Sequence, residues 1–327
     1  MSQLASTNNN TQRQSLKVRL ARWRRTPVFY PLIGFIVVFI AMSLINDNFL
    51  TGSNMANLVR QSSIIAIIAV GMSLAILTGG IDLSVGPVMA LSGTVMAGLM
   101  VAGVPPSLAI ILGLLVGAAF GAFNGVFVAF AGMPPIIVTL ATMGIARGLG
   151  LIYTGGYPIS GLPDSFAFFG RGSLAGIEMP ILIMIAVYAL GYVLLSHTAT
   201  GRYLYAIGGN EEATRLSGIR VSRYKLLVYT LSGTTAAIAG LILTSRLMSG
   251  QPNAGVGFEL DAIAAVVLGG AAITGGRGMI LGTMVGAMLL GVLNNGLNLM
   301  GVSPYLQTVI KGLIILLAIY ISRKRTP

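Results

Sequence analysis

The feature that most narrows the possible folds is a succession of apolar runs along almost the whole chain. Each is about 17 to 25 residues long, the length with which a helix crosses ~30 Å of hydrocarbon. Ten such runs are centred in residues 28–45, 62–77, 87–101, 107–131, 136–153, 179–196, 226–249, 262–273, 279–300 and 304–321, the eighth being short. None shows the two-residue alternation of a barrel strand. Only 9% of the residues are charged, against roughly 25% in a soluble domain, so too few remain to clothe a water-facing surface. The expectation is an all-α polytopic membrane protein with about ten transmembrane helices. The run at 28–45 could imitate a signal peptide, but it is long for one and no A-x-A cleavage pattern follows. It reads as the first span.

The formal net charge of +12 would suit nucleic acid if the cations formed a basic face, but they gather in the tails and one loop. Topology accounts for them. With a cytoplasmic N-terminus, 15 of the 20 Lys and Arg fall in inside segments and two, Arg60 and Arg171, in outside loops; Arg147, Arg246 and Lys311 lie within helices. Such a bias places both termini inside. Residues 1–27 then form a basic cytoplasmic tail, in which Leu16, Leu20 and Trp23 could share one face of a surface helix. Residues 322–327 form a second, shorter basic tail. With no Cys and a single His, His197, thiolate chemistry is excluded and one imidazole cannot make a zinc site. No GxxxxGK(S/T) loop and no Ser/His/Asp set occur, so ATP binding through such a loop and hydrolase catalysis are not expected. The chain is expected to hold no metal and no cofactor, and to be no enzyme.

One long stretch interrupts the apolar pattern. Residues 201–225, GRYLYAIGGNEEATRLSGIRVSRYK, carry five cations and two of the eight acids, Glu211 and Glu212. The charge count puts this stretch, part of a loop at about 197–225, in the cytoplasm.

The chain also resembles itself. At an offset of 169, Ile111, Leu112, Gly113, Val116, Gly117, Ala118, Gly132, Pro135 and Thr139 return as Ile280, Leu281, Gly282, Val285, Gly286, Ala287, Gly301, Pro304 and Thr308. Asn124 returns one residue out of step as Asn294. At an offset of 177, Gly80, Leu83 and Gly93 match Gly257, Leu260 and Gly270, with Asp82 opposite Glu259. Corresponding members of the copies at about 62–153 and 226–321 are five spans apart, an odd step. They would cross in opposite senses, the inverted-repeat plan of many transporters. Asp82 would then lie near the cytoplasmic face and Glu259 near the outer one.

Glycines bracket Asp82 in GGIDLSVG, residues 79–86. Such a segment can turn the backbone back into the membrane to line a path, or Asp82 can cap the following helix; the cap is slightly favoured. Gly113, Gly117, Gly121 and Gly125, with Gly282 and Gly286, read as close helix packing. Asn124, Thr139, Asn294, Asn295, Asn298 and Thr308 put neutral hydrogen-bonding groups at membrane depth. They suit either a sugar that must replace lost water contacts or interhelical bonds. With Asp82, Ser84, Glu259 and Asp261, the first five make up the candidate translocation path or gate. Arg147 and Lys311 require acids not identifiable from sequence, or must snorkel. The acids lie near span ends, which speaks against a proton- or sodium-coupled carrier.

Three separated motifs, residues 201–225, residues 79–86 and the run ELDAIAAVVLGGAAITGG at 259–276, closely resemble the membrane subunit of ribose-type bacterial ABC sugar importers. The likeness covers nearly the whole chain from about residue 28. AIGGNEEATRLSGI, 206–219, resembles that family's cytoplasmic coupling segment, and VLNNGLNLMGVSPY, 292–305, is similar to ribose permeases. The resemblance implies an inner-membrane permease homodimer, with a double ABC ATPase inside and a periplasmic sugar-binding protein outside. It also implies that Asn210, Glu211, Glu212, Ala213, Thr214, Arg215, Leu216, Ser217, Gly218 and Ile219 dock on the ATPase, whose closure would move them as a rigid body. The implied cargo is ribose or a related pentose. Allose, xylose, galactofuranose or autoinducer-2 carried by the same machine remain alternatives. So does a different class, the self-sufficient secondary carrier or channel.

Overall fold

The structure is a computed structural model that describes residues 28–323. The expected N-terminal tail, with Leu16, Leu20 and Trp23, and residues 324–327 lie outside the described residues. Every apolar run contains a helix. The first half holds α1 (Phe29–Ile45), α2 (Gly52–Leu77), α3 (Val85–Val101), α4 (Pro106–Ala129) and α5 (Pro135–Thr154). After a 3-10 turn at Asp164–Ala167 come the one-turn α6 (Phe168–Arg171) and a small hairpin, β1 (Ser173–Leu174) against β2 (Ile177–Glu178). Then follow α7 (Met179–His197), α8 (Ala199–Gly209), α9 (Glu211–Leu216), α10 (Val221–Leu247), α11 (Phe258–Leu268), α12 (Ile280–Leu299) and α13 (Pro304–Arg323). Among the described residues, six helices (α2, α4, α5, α7, α10 and α12) are long and apolar enough to cross a bilayer, while α1 and α3 are shorter apolar helices. The chain is a multi-pass helical membrane protein.

Local chemistry sets the helix ends. Pro stands in the first turn of α4, α5 and α7, where its missing N–H would have had no partner anyway. The expected span at 262–273 is corrected: α11 has only 11 residues, about 16 Å at 1.5 Å per residue, too short for the hydrocarbon. It stops at Gly269 and Gly270, and the chain then turns through Gly275 and Gly276, both at positive φ.

Every residue of α2 from Ser62 to Leu77 is buried. Its neighbours include α10, α11, α12 and α7, whereas α10 packs on α2, α3 and α4. The two longest helices therefore sit in each other's half of the chain. The glycine stripes make this approach possible. A Cβ on Gly121 would overlap the Tyr229 carbonyl of α10, and one on Gly286 the Ala265 carbonyl of α11. Gly113 instead meets Met96 of α3.

Two irregular segments, 78–84 and 248–257, return into this bundle. They bring Gly86 and Gly255 into backbone contact so close that neither tolerates a side chain.

Candidate coupling segment and membrane-embedded polar sites

The ten residues expected to dock form one compact corner. Asn210 begins α9, its Oδ1 accepting the Ala213 N–H at 2.9 Å, and Glu211 and Glu212 occupy the first turn, where the helix dipole favours acids. Gly218, at φ +83, ends it: its N–H donates to the Arg215 carbonyl and that of Ile219 to the Thr214 carbonyl, the two bonds of a Schellman cap. Thr214 is buried and donates to the Asn210 carbonyl at 2.8 Å. Arg215 lies 3.5 Å from Glu211 and 3.3 Å from Glu212, while Lys225 of α10 pairs with Glu211 at 2.6 Å. Glu212, Ala213, Arg215, Leu216, Ser217 and Gly218 face outward, Leu216 with 80% of its surface exposed.

The preceding α8 fastens this corner to the bundle. Thr198 caps it by accepting the Gly201 N–H. Tyr205 donates to the Gly278 carbonyl at 2.9 Å, and burial pushes its phenol above the ordinary tyrosine range, so it remains a donor. The Gly208 backbone abuts the Leu77 carbonyl and the Gly276 N–H, which are themselves joined at 3.0 Å. The corner thus touches the end of α2 and the α11–α12 connection at one point.

Three expected path residues, Ser84, Asn124 and Thr139, assemble around a fourth, Asp82, which is fully buried. Its Oδ1 accepts the Ser84 N–H at 3.0 Å and the Ser84 hydroxyl at 2.6 Å; its Oδ2 accepts the Ser232 hydroxyl at 2.7 Å. Asn124 Nδ2 donates to Ser84 Oγ at 2.9 Å, and Thr139 donates to the Ile81 carbonyl at 3.1 Å. Asp82 is therefore not the helix cap: α3 starts from Ser84 without a side-chain cap bond, and the carboxylate closes a local turn across to α10. Ser232 is a residue the sequence analysis missed, one hydroxyl in an apolar run with no pattern to mark it. It lies near the middle of the 27-residue α10, so Asp82 is held at mid-length of that helix and not near its end.

A second polar site forms where α11, α12 and α13 converge. Asp261 meets Lys311 at 3.0 Å, which supplies the acid that Lys311 required. Arg147 forms no ion pair among the described residues. Beside the Asp261–Lys311 pair is a cavity of about 300 Å³, lined by Gln61, Arg246, Phe258, Asp261, Asn294 and Lys311 among others. Glu259 turns a buried carboxylate oxygen toward Gly86 with no hydrogen-bond partner. Asn295 and Asn298 stand apart from the cavity. Asn295 exchanges two hydrogen bonds with Asn54, at 2.9 and 2.8 Å, and Asn298 accepts from Gln307 at 2.8 Å; both fasten helices. Gln61 was missed because it sits at the flank of an apolar run and reads as a boundary residue, and Arg246 because a lone cation within a run carries no pattern that names its neighbours.

On the side of the β-hairpin, Arg60 of α2 grips Glu178 with both ends of its guanidinium, Nε lying 2.7 Å from Oε2. These hydrogen bonds hold the Glu178 carboxyl below the ordinary carboxylate range.

The family described as "Branched-chain amino acid transport system / permease component" matches residues 54–319. The chain is 51% identical over 298 residues to the ribose import permease protein RbsC of Bacillus subtilis (strain 168), covering 90% of this chain and 92% of that protein. It is 48% identical over 298 residues to RbsC of Escherichia coli (strain K12), covering 90% and 93%. The D-allose transport system permease protein AlsC of the same strain is 40% identical over 302 residues, 92% of each chain. Among solved structures, a chain described as a metal-chelate type ABC transporter in an inward-facing conformation superposes with a TM-score of 0.52 at 16% identity, covering 88% of this chain and 98% of that one. That likeness speaks to the fold alone.

Proposed function

The chain belongs to the branched-chain amino acid transport system permease component family, within its ribose-type sugar permeases, and from that premise we propose that it is the permease subunit of an ATP-driven importer carrying ribose into the cytoplasm. The observation that carries this reading is the 51% and 48% identity to two ribose import permeases across nine-tenths of the chain. The allose permease, at 40%, makes allose the second reading.

In this reading ATP hydrolysis belongs to a separate double ABC ATPase, a periplasmic binding protein delivers the sugar, and two copies of the permease form the channel. The protein resides in the inner membrane of a bacterium with both termini in the cytoplasm. The exposed side of Asn210 to Ile219 docks on the ATPase. Support comes from the shared contact of Gly208 with Leu77 and Gly276, through which a movement of the corner reaches α2 and the α11–α12 connection together. The reciprocal seating of α2 and α10 supports an inverted repeat, since a pseudo-twofold axis exchanges equivalent neighbours. Asp82, Ser84, Asn124 and Thr139 form a gate in the first copy, and Glu259, Asp261 and Asn294 belong to the path in the second. Asn295 and Asn298 fit helix fastening better.

The test is reconstitution with the ATPase and binding protein in proteoliposomes. Ribose uptake should require ATP, and the permease alone should show no ion-gradient-driven uptake; robust uptake without the ATPase would make the chain a self-sufficient carrier or channel. Glu211→Lys combined with Glu212→Lys, or Gly218→Trp, should abolish uptake while leaving membrane insertion intact. Normal uptake by these variants would exclude the docking role.

A further inference from the structure

The offsets relating the two copies pair Ser84 with Asp261, Asn124 with Asn294, Thr139 with Thr308 and Thr142 with Lys311. The two sets are in different states. In the first, Asp82, Ser84, Asn124 and Ser232 are joined by hydrogen bonds of 2.6 to 3.0 Å, Asn124 through its Nδ2, although Asn124 Oδ1 and Thr142 Oγ1 are buried without a partner. In the second, Asp261 and Lys311 pair, but Asn294, only 7% exposed, hydrogen-bonds to no described residue, and its Oδ1 is buried without a partner. Asn294 and the Asp261–Lys311 pair line the cavity of about 300 Å³, and Thr308 lies on its wall.

We infer that this cavity is a transit site for one neutral sugar ring, in which Asn294 and the Asp261–Lys311 pair take the hydroxyl groups and Phe258 covers an apolar face. The inference rests on the importer reading and gives it a place in the chain. Size supports it: the volume stands at the lower end of ligand pockets, about 300 to 1,000 Å³, which suits one ring and not two. Chemistry supports it as well, because a hydroxyl both donates and accepts, and an amide, a carboxylate and an ammonium group on adjacent walls offer both functions. Of the two cations of the wall, Lys311 is paired with Asp261 at 3.0 Å, and Arg246 forms no ion pair among the described residues. The neutrality of the ring follows from the ribose reading. At its rim Val256 and Leu260 are 60% and 51% exposed.

The chain has no cysteine, so a single introduced thiol is a unique reporter in the complete importer. Thr308→Cys in proteoliposomes containing the ATPase and the binding protein should react with N-ethylmaleimide. Ribose at twice its dissociation constant should slow the reaction by about threefold, as expected for one-site occupancy. Ribose 5-phosphate should not slow it. Neither sugar should affect Ser173→Cys in the exposed hairpin, and adding Asn294→Leu to Thr308→Cys should remove the protection. The site is overturned if Thr308→Cys is unreactive, if ribose leaves its rate unchanged, or if protection survives Asn294→Leu; equal protection by ribose 5-phosphate overturns the neutral-ring assignment. These failures are read in an importer whose cysteine-free parent takes up ribose. Failure of that parent to do so refutes the importer reading instead.

Discussion

At the scale of single residues, Asp82 accepts three hydrogen bonds in the middle of the bundle and has no cation among its hydrogen-bond partners. Asp82→Ala strands the Ser84 and Ser232 hydroxyls, and a stranded buried polar group costs about 1–3 kcal/mol. Thermal unfolding in detergent should show a lowered midpoint for Asp82→Ala, and a smaller drop for Ser232→Ala, which removes only one donor. An unchanged midpoint for both would mean that the network contributes no stability. Glu178 gives a pH dependence of definite sign. Its carboxyl is lowered in the folded chain by Arg60, so the tie contributes fully above the unfolded value of ~4.3 and is lost as pH falls through the lowered folded value. Hydrogen exchange in residues 173–178 should therefore accelerate beyond its intrinsic pH dependence on acidification through that window. Arg60→Ala should remove that extra dependence; its persistence in the variant would assign it to another group. Asp82 and Glu178 were visible in the sequence as rare acids, but their partners were not, because Ser232 and Arg60 lie 150 and 118 residues away.

At the scale of elements, the contact between α4 and α10 depends on backbone meeting backbone. A side chain at Gly121 runs into the Tyr229 carbonyl, while one at Gly144 of α5 meets nothing within 4 Å. Gly121→Leu should cost at least the ~1–3 kcal/mol typical of overpacking, since a helix backbone cannot swing aside as a side chain can. Gly144→Leu should be tolerated. The yield of monodisperse protein after size-exclusion chromatography compares them, and equal yields would show that the helices can separate without penalty. The glycine spacing announced a packing stripe, yet it did not say which helix would receive it. Likewise, the apolar run at 262–273 suggested a span until the glycines that follow Leu268 ended the helix at 11 residues.

For the whole molecule, the corner made by α8 and α9 touches both halves of the bundle through a single backbone junction. Gly208→Val drives a side chain into the Leu77 carbonyl and should push α8 off the end of α2. In the reconstituted importer, uptake should fall while ATP hydrolysis continues, the signature of a broken link between the two. Loss of hydrolysis together with uptake, or retention of both, would show that the junction does not transmit the movement.

The amino-acid sequence by itself determined that this is a helical membrane protein of the permease family, where its apolar segments lie, and which stretch is too charged to enter lipid. These are local properties: a helix satisfies its own backbone hydrogen bonds, so the length of an apolar run suffices to mark it. Tertiary structure alone decided that Asp82 sits at mid-length of α10, that Lys311 meets Asp261, and that Asn124 is hydrogen-bonded while its counterpart Asn294 faces a cavity with no partner. Identical residue types came to different states because hydrogen bonding inside the bundle depends on which distant helices the packing brings within about 3 Å, and no local pattern encodes that.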